Sequence, residues 1–177
     1  MAQQSFVTVT NIVPIVNQTA LVATGEEVLV PTQYTGIAAN EAVPGKAWRV
    51  TIGGIMSWAS TGTITFTPRV GLVIGGVTLG VSVVALTTPG VTTNHAFTCF
   101  FNLVCRTIGA AGANSTFIGT GMYLSSGIGT LGTLTGQSMG GTSASADASV
   151  ATGIWMGKTL SVAGSITTQY SIFESLN

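Results

Sequence analysis

Apolar and polar positions alternate most cleanly from His95 to Leu124, HAFTCFFNLVCRTIGAAGANSTFIGTGMYL. Side chains leave a strand on alternate sides, so His95, Phe97, Cys99, Phe101, Leu103 and Cys105 share one face. Five of these six are apolar, which predicts a face turned to a core. The opposite face carries Ala96, Thr98, Phe100, Asn102, Val104 and Arg106. It is half polar, but Phe100 and Val104 predict that it too meets protein. Gly109 to Asn114 supply residues that tolerate positive φ and therefore a turn. Ser115 to Leu124 then returns as a second strand, with Phe117, Ile118, Met122 and Tyr123 as its apolar positions.

The same reading organises the rest of the chain. Lys46 to Trp58 sets Trp48, Val50, Ile52, Met56 and Trp58 on one side, and Gly53-Gly54 within it predicts a bulge or a close backbone approach. Thr63 to Leu72 alternates again, with Pro68 demanding an edge or a bulge because it lacks an N–H. Joined through Ser60 to Gly62, the two segments predict a hairpin. Upstream, Met1 to Val13 ends in the β-branched run SFVTVTNIV, and Thr19 to Ala23 continues the strand character. Glu26-Glu27 reads as a surface bend, and Val28 to Ala39 as short and irregular. Downstream, Ile74 to Leu86 gives one or two short strands, and Thr87 to Val91 a turn. The Gly/Ser/Thr-rich Ser125 to Ser149 reads as a long loop holding at most a brief strand. Val150 to Lys158 and Gly164 to Phe173 close the chain as strands, the last with Ile166, Tyr170 and Ile172 facing one way.

No stretch of a dozen residues has helical periodicity. Many short strands with Gly and Thr turns predict an all-β fold, an antiparallel β-sandwich. Eight to ten strands in one domain fit a jelly roll. The expected organisation is an N-terminal strand or arm segment, residues 1–45, followed by a jelly-roll domain, residues 46–177.

Charge changes the picture. Only 6% of the 177 residues are charged and the net charge is zero, where soluble proteins average about 25% charged residues. Mean hydropathy is +0.58. Charge keeps free monomers apart, so this composition predicts a subunit whose surface is covered by neighbours. No basic excess is available to hold nucleic acid. The uncharged run Val70 to Leu86 is shorter than the roughly 20 residues of a membrane-spanning helix, and its Val, Thr and Gly content suits strands and turns; no membrane partner is expected. MAQQSFVTVT has no basic region of the kind that opens a signal peptide.

Chemistry-bearing residues are few and scattered. Cys99 and Cys105 lie on one strand face about 20 Å apart, against the roughly 7 Å limit between Cα atoms of a disulfide. Two buried, reduced thiols are expected, consistent with folding in a cytoplasm. His95 is the only histidine, too few ligands for a metal site of the His/Cys kind, and it is expected to be structural or exposed. His95 and Asp147 alone do not make a Ser-His-Asp arrangement without a nucleophile elbow. Gly127-Ile-Gly129-Thr-Leu-Gly132 matches G-x-G-x-x-G with Asp147 downstream, but Gly132, Gly136, Gly140 and Gly141 forbid the helix that a dinucleotide site requires. Glu26, Glu27, Glu41, Asp147 and Glu174 are dispersed, whereas a glycosidase needs two converging carboxyls. Asn17 and Asn114 head glycosylation sequons that have no visible leader to expose them. Trp48, Trp58, Trp155, Tyr170 and Phe173 read as core and inter-subunit contacts, with a sugar-stacking platform as the alternative. No catalytic, cofactor-binding or metal-ligating residue is expected.

From Thr61 to Gly121 the chain resembles the small jelly-roll structural proteins of tailed bacteriophages. TGTITFTPRVG stands where those proteins have a "GTLTFTPRxG"-like strand, and Arg106-Thr107-Ile-Gly109 with Gly119-Thr-Gly121 stands in their "xxRTxGxxGxxxGxG"-like hairpin. Ser165 to Asn177 is similar to their final strand, and residues 1–45 have no counterpart. The resemblance implies a non-enzymatic virion component, most often a homotrimeric head decoration (cement) protein. Such a protein would partner the major capsid protein on the capsid exterior, after assembly in the bacterial host cytoplasm. A tail or fibre subunit, and a host-surface or glycan-binding module of the same fold, are the alternatives.

Overall fold

The computed structural model describes residues 8–14, 22, 24–29, 36–71, 77–81, 86–88, 91–110, 115–126, 134–143 and 146–176. They form strands β1 (Thr8–Pro14), β2 (Glu27–Val28), β3 (Gly36–Ile37), β4 (Ala47–Trp58), β5 (Gly62–Gly71), β6 (Val77–Val81), β7 (Leu86–Thr88), β8 (Thr92–Thr107), β9 (Thr116–Ser126), β10 (Leu134–Ser143), β11 (Thr152–Leu160) and β12 (Gly164–Ser175). Every pairing is antiparallel. The protein is an all-β antiparallel sandwich. One sheet runs β1-β12-β4-β8-β9-β10, the other β5-β11-β2 with β3 and β7 at its margins, and β6 bridges β10 to β5.

The pairs nest. β4 pairs with β12, β5 with β11, β6 with β10, and β8 with β9. Successive strands therefore wrap round the core as a long folded hairpin. The alternation in the sequence reappears as burial: Phe97, Cys99, Phe101, Leu103 and Cys105 are inside, with partly covered residues between them. The β8–β9 return is the hairpin that the pattern predicts; its link at 111–114 lies outside the described residues.

The inner faces meet through aromatic rings. Phe66 of β5 stacks on Tyr123 of β9 with centroids 4.8 Å apart and on Phe97 of β8 at 6.1 Å, so one ring ties the two sheets together. Each such side chain contributes about 1.5–3 kcal/mol by leaving water. The buried Tyr123 hydroxyl donates to Met56 Sδ at 3.7 Å, which gives it a partner inside the core.

Several expectations are corrected. β4 and β5 are not a hairpin: β4 lies between β12 and β8, and β5 in the other sheet beside β11. Their apolar rows face each other across the core, and Ala59 to Thr61 carries the chain between sheets. Ser125 to Ser149 is no plain loop, since β10 is a ten-residue strand paired along β9. Ile166, Tyr170 and Ile172 do not share a side. A bulge between Thr168 and Tyr170 inverts the alternation, so Ile166 is buried within and Tyr170 faces out. Gly53 and Gly54 sit opposite that bulge, and a Cβ on Gly54 would strike the Thr167 carbonyl, the close approach their spacing predicts. Pro68 falls in the stretch of β5 between its pairings with β7 and β6, where no described neighbour needs its N–H.

The N-terminal segment is stitched to both sheets. β1 extends the first sheet beside β12, while β2 and β3 pair with β11. Between them Leu29 is fully buried, donating its N–H to Met156 O at 2.9 Å and accepting from Thr168 Oγ1 at 2.7 Å. Glu26-Glu27 is a clamp, not an exposed bend. Glu26 takes Arg69 in a two-pronged ion pair at 2.7 and 2.9 Å on the outside, and Glu27 pairs with buried Lys158 on the core side.

Candidate interaction surface

Among the described residues, those that chemistry would choose do not converge on a reactive centre. His95 sits at the start of β8, half-buried, with Nε2 2.7 Å from Ser125 Oγ and its ring 6.1 Å from that of Trp58. Burial pushes its imidazole pKa below the usual value. Ser125, thirty residues away along the chain, is a partner that strand alternation does not reveal. This serine is only 2% exposed, so its hydroxyl offers no approach to a substrate carbonyl. Asp147 lies elsewhere, where its carboxylate accepts from the Ser149 N–H at 2.8 Å and hydroxyl at 2.6 Å, which lowers its pKa. Cys99 and Cys105 are both buried free thiols, and burial pushes Cys99 up to about 12. Among the described residues, no three His, Cys, Asp or Glu side chains gather as a metal would need. Residues 127–132, with their glycine motif, and both sequon asparagines lie outside the described residues.

The aromatics divide. Trp48, Trp58 and Phe173 belong to the core. Trp155 is buried on the outer side of β11 and donates Nε1–H to Gly71 O at 2.6 Å. All three tryptophans are therefore at least 96% covered, and only Tyr170 of the five reaches solvent substantially. No described helix is long and apolar enough to cross a membrane, and Val77 to Val81 within the uncharged run is a strand.

What the fold does assemble is a surface. Directly opposed residues of antiparallel strands point the same way, so the registers lay out the exterior of the β12–β4–β8–β9 sheet row by row. Ile172, Thr51, Phe100 and Met122 form one row; Tyr170, Gly53, Thr98 and Leu124 the next. On the other side come Glu174, Arg49, Asn102 and Thr120, then Ala47, Val104 and Ile118. Met122, Ile118 and Tyr170 each leave 37–40% of their surface in solvent. The Phe100 and Val104 face, read from sequence as a meeting place with protein, is thus one strip of a broader sheet exterior that mixes apolar residues with Thr51, Thr98, Thr120, Asn102, Arg49 and Glu174.

Polar groups on this surface satisfy one another. Arg49 Nε donates to Asn102 Oδ1 at 2.9 Å and Nη1 lies 3.8 Å from Glu174 Oε2. Thr98 Oγ1 and the Tyr170 hydroxyl are 3.2 Å apart. The Tyr170 ring lies over Gly53, in the space that any larger residue would fill. The exterior of the other sheet differs, presenting Thr63, Thr65, Thr67 and Arg69 along β5.

No family model matches the chain, and no curated protein and no solved structure is found to be similar to it.

Proposed function

We propose that this chain is a non-enzymatic virion structural protein, a head decoration subunit of a tailed phage. It would bind the outer capsid surface as a homotrimer and strengthen the shell. The observation that carries this reading is the exterior of the β12–β4–β8–β9 sheet, where Ile118, Met122 and Tyr170 lie partly in solvent among polar side chains, in a chain of very low charge. The pattern of TGTITFTPRVG and of the β8–β9 hairpin supports the phage setting, and the nested strand pairs suit the jelly roll that goes with it. The work is mechanical: apolar burial at about 25 cal/mol per Å², repeated over many copies, holds shell subunits together. The segment 1–45 would serve as the arm, through an exchange of β1 onto a neighbouring subunit.

Counting the chain in purified virions and locating it by labelled-particle imaging tests the proposal. Hundreds of copies on the head support it. A handful at the tail would transfer the chain to a tail or fibre role. Deleting residues 2–13 should weaken shell attachment while a cooperative fold persists; unchanged attachment would remove the arm from the account.

A further inference from the structure

We infer that Tyr123, Ser125 and His95 form a reversible hydrogen-bond relay, whose direction is set by protonation of His95 at the sheet margin and felt at Met56 in the core.

The ladders put the groups in line. On β9, Tyr123 and Ser125 are two residues apart and both turn inward, 1% and 2% exposed. Ser125 Oγ lies 2.7 Å from Nε2 of the half-buried His95, and its hydroxyl also hydrogen-bonds that of Tyr123. The Tyr123 hydroxyl reaches Met56 Sδ at 3.7 Å, and Met56 is opposed to His95 on the β4–β8 ladder. Stacking on Phe66 and Phe97 fixes the Tyr123 ring. The result is one polar chain from the margin of the sheet to the contact between the two sheets.

This chain has two states because its hydrogens are few. Tyr123 and Ser125 each own one hydroxyl hydrogen. His95 Nε2 accepts when the ring is neutral with its proton on Nδ1, and only donates in the imidazolium. Oxygen is a better acceptor than thioether sulfur, so beside neutral His95 the Tyr123 hydroxyl donates to Ser125 and the Ser125 hydroxyl donates to Nε2. Protonated His95 instead donates from Nε2 to Ser125 Oγ. Ser125 then donates to the Tyr123 oxygen, and the Tyr123 hydroxyl turns to Met56 Sδ. Every donor of the chain keeps an acceptor in both states, so the reversal strands no hydrogen of the relay.

The neighbours leave the switching to His95. Cys99, opposed to Tyr123, is the titratable group beside it, and its buried thiol stays protonated. Across the core, Phe66 is opposed by Lys158, whose charge is met by Glu27. Met56, Trp58 and Phe97 bring no charge.

The test is nuclear magnetic resonance of the full-length chain, with histidine, tyrosine and methionine isotopically enriched, titrated from pH 8 to pH 4.5. At pH 8, His95 Nε2 should have the nitrogen shift of an unprotonated acceptor. On acidification the Tyr123 Cζ and Met56 methyl signals should move with the same midpoint as His95, below about 6.5. In Ser125→Ala, His95 should still titrate while Tyr123 and Met56 no longer follow; Ser125→Thr, which keeps the hydroxyl, should preserve their movement. Should the variants fail to fold, the native chain still decides: the Tyr123 hydroxyl proton should neighbour Ser125 at pH 8 and the Met56 methyl at pH 4.5. A protonated Nε2 at pH 8 overturns the relay. So does a Tyr123 signal that ignores His95, or a hydroxyl proton that keeps one neighbour throughout. Movement that survives in Ser125→Ala also overturns it, since the field of the charge would then suffice without the hydrogen bonds.

Discussion

Lys158 and Glu27 are paired across the β11–β2 ladder, with the lysine side chain 0% and the glutamate side chain 28% exposed. The lysine shares the core side of β11 with Ile154, Met156 and Leu160, and it stands opposite Phe66. Removing one partner of a buried ion pair costs roughly 3–5 kcal/mol, because the other charge is left stranded. Glu27 is partly wet, so water can replace some of what its carboxylate supplies. Glu27→Ala is therefore expected to lose about 1–3 kcal/mol. Lys158→Met takes the charge away together with its need for a partner, and should lose less. Urea unfolding of the two variants checks the order; the reverse order would mean that the lysine stem, not its charge, holds β2 in place.

The ring of Phe101 occupies the space where Gly119 and Gly121 would carry side chains, which gives the Gly-Thr-Gly of β9 a packing reason. The two glycines differ in what surrounds them. A Cβ on Gly119 would strike chiefly the tip of the Phe101 ring, a side chain that can move. One on Gly121 would strike the Phe100 carbonyl and lie 3.0 Å from Phe101 Cα, which are backbone. Both alanine variants should destabilise, by about 1–3 kcal/mol at Gly119 and by more at Gly121. Phe101→Leu should restore part of the loss at Gly119 and little of it at Gly121. A double-mutant cycle in urea measures this, and equal rescue at both positions would contradict the assignment.

How far the sequence carries can be read from these same strands. Alternation located β4, β5, β8, β9, β11 and β12, because a half-buried strand must place one side chain in two inside. It could not say which strands lie side by side. β4 and β5 have the pattern of a hairpin, yet their inward rows face each other from different sheets, and periodicity is the same in both arrangements. β10 was hidden by its Gly, Ser and Thr content, which reads as loop although it pairs along β9. One bulged residue, Gln169, was enough to turn Tyr170 outward. Of the candidate surface, the Phe100–Val104 strip was legible as a strand face. The rows contributed by β4, β9 and β12 depend on register, and the contact of His95 with Ser125 on tertiary structure.

The thiols should be silent in the native protein. Burial pushes Cys99 up to about 12 and raises Cys105 as well, and the thiolate is the reactive form. Labelling with a thiol reagent near pH 8 should thus proceed only as fast as the sandwich opens. Both cysteines should react at once in denaturant. Rapid modification of Cys99 without unfolding would show that the inner face of β8 is open to solvent.

His95 sets a pH dependence whose sign follows from its burial. Its folded-state pKa lies below the ordinary value of about 6.5, because desolvation at the margin of the core disfavours the imidazolium. The groups against it are the Ser125 hydroxyl, the Trp58 ring and Met56 across the ladder, none of which supplies negative charge. Above about pH 6.5 the ring is neutral folded and unfolded, and contributes no pH dependence. As pH falls below that value the unfolded chain takes up the proton first, so stability declines through the window between the two pKa values. Asp147, held low by Ser149, acts in a separate window: it supports the fold above the ordinary carboxylate pKa and loses that effect at more acid pH. Urea unfolding between pH 7.5 and pH 5 should therefore give a slope that His95→Gln flattens. A wild-type slope unchanged in that variant would place the titrating group elsewhere.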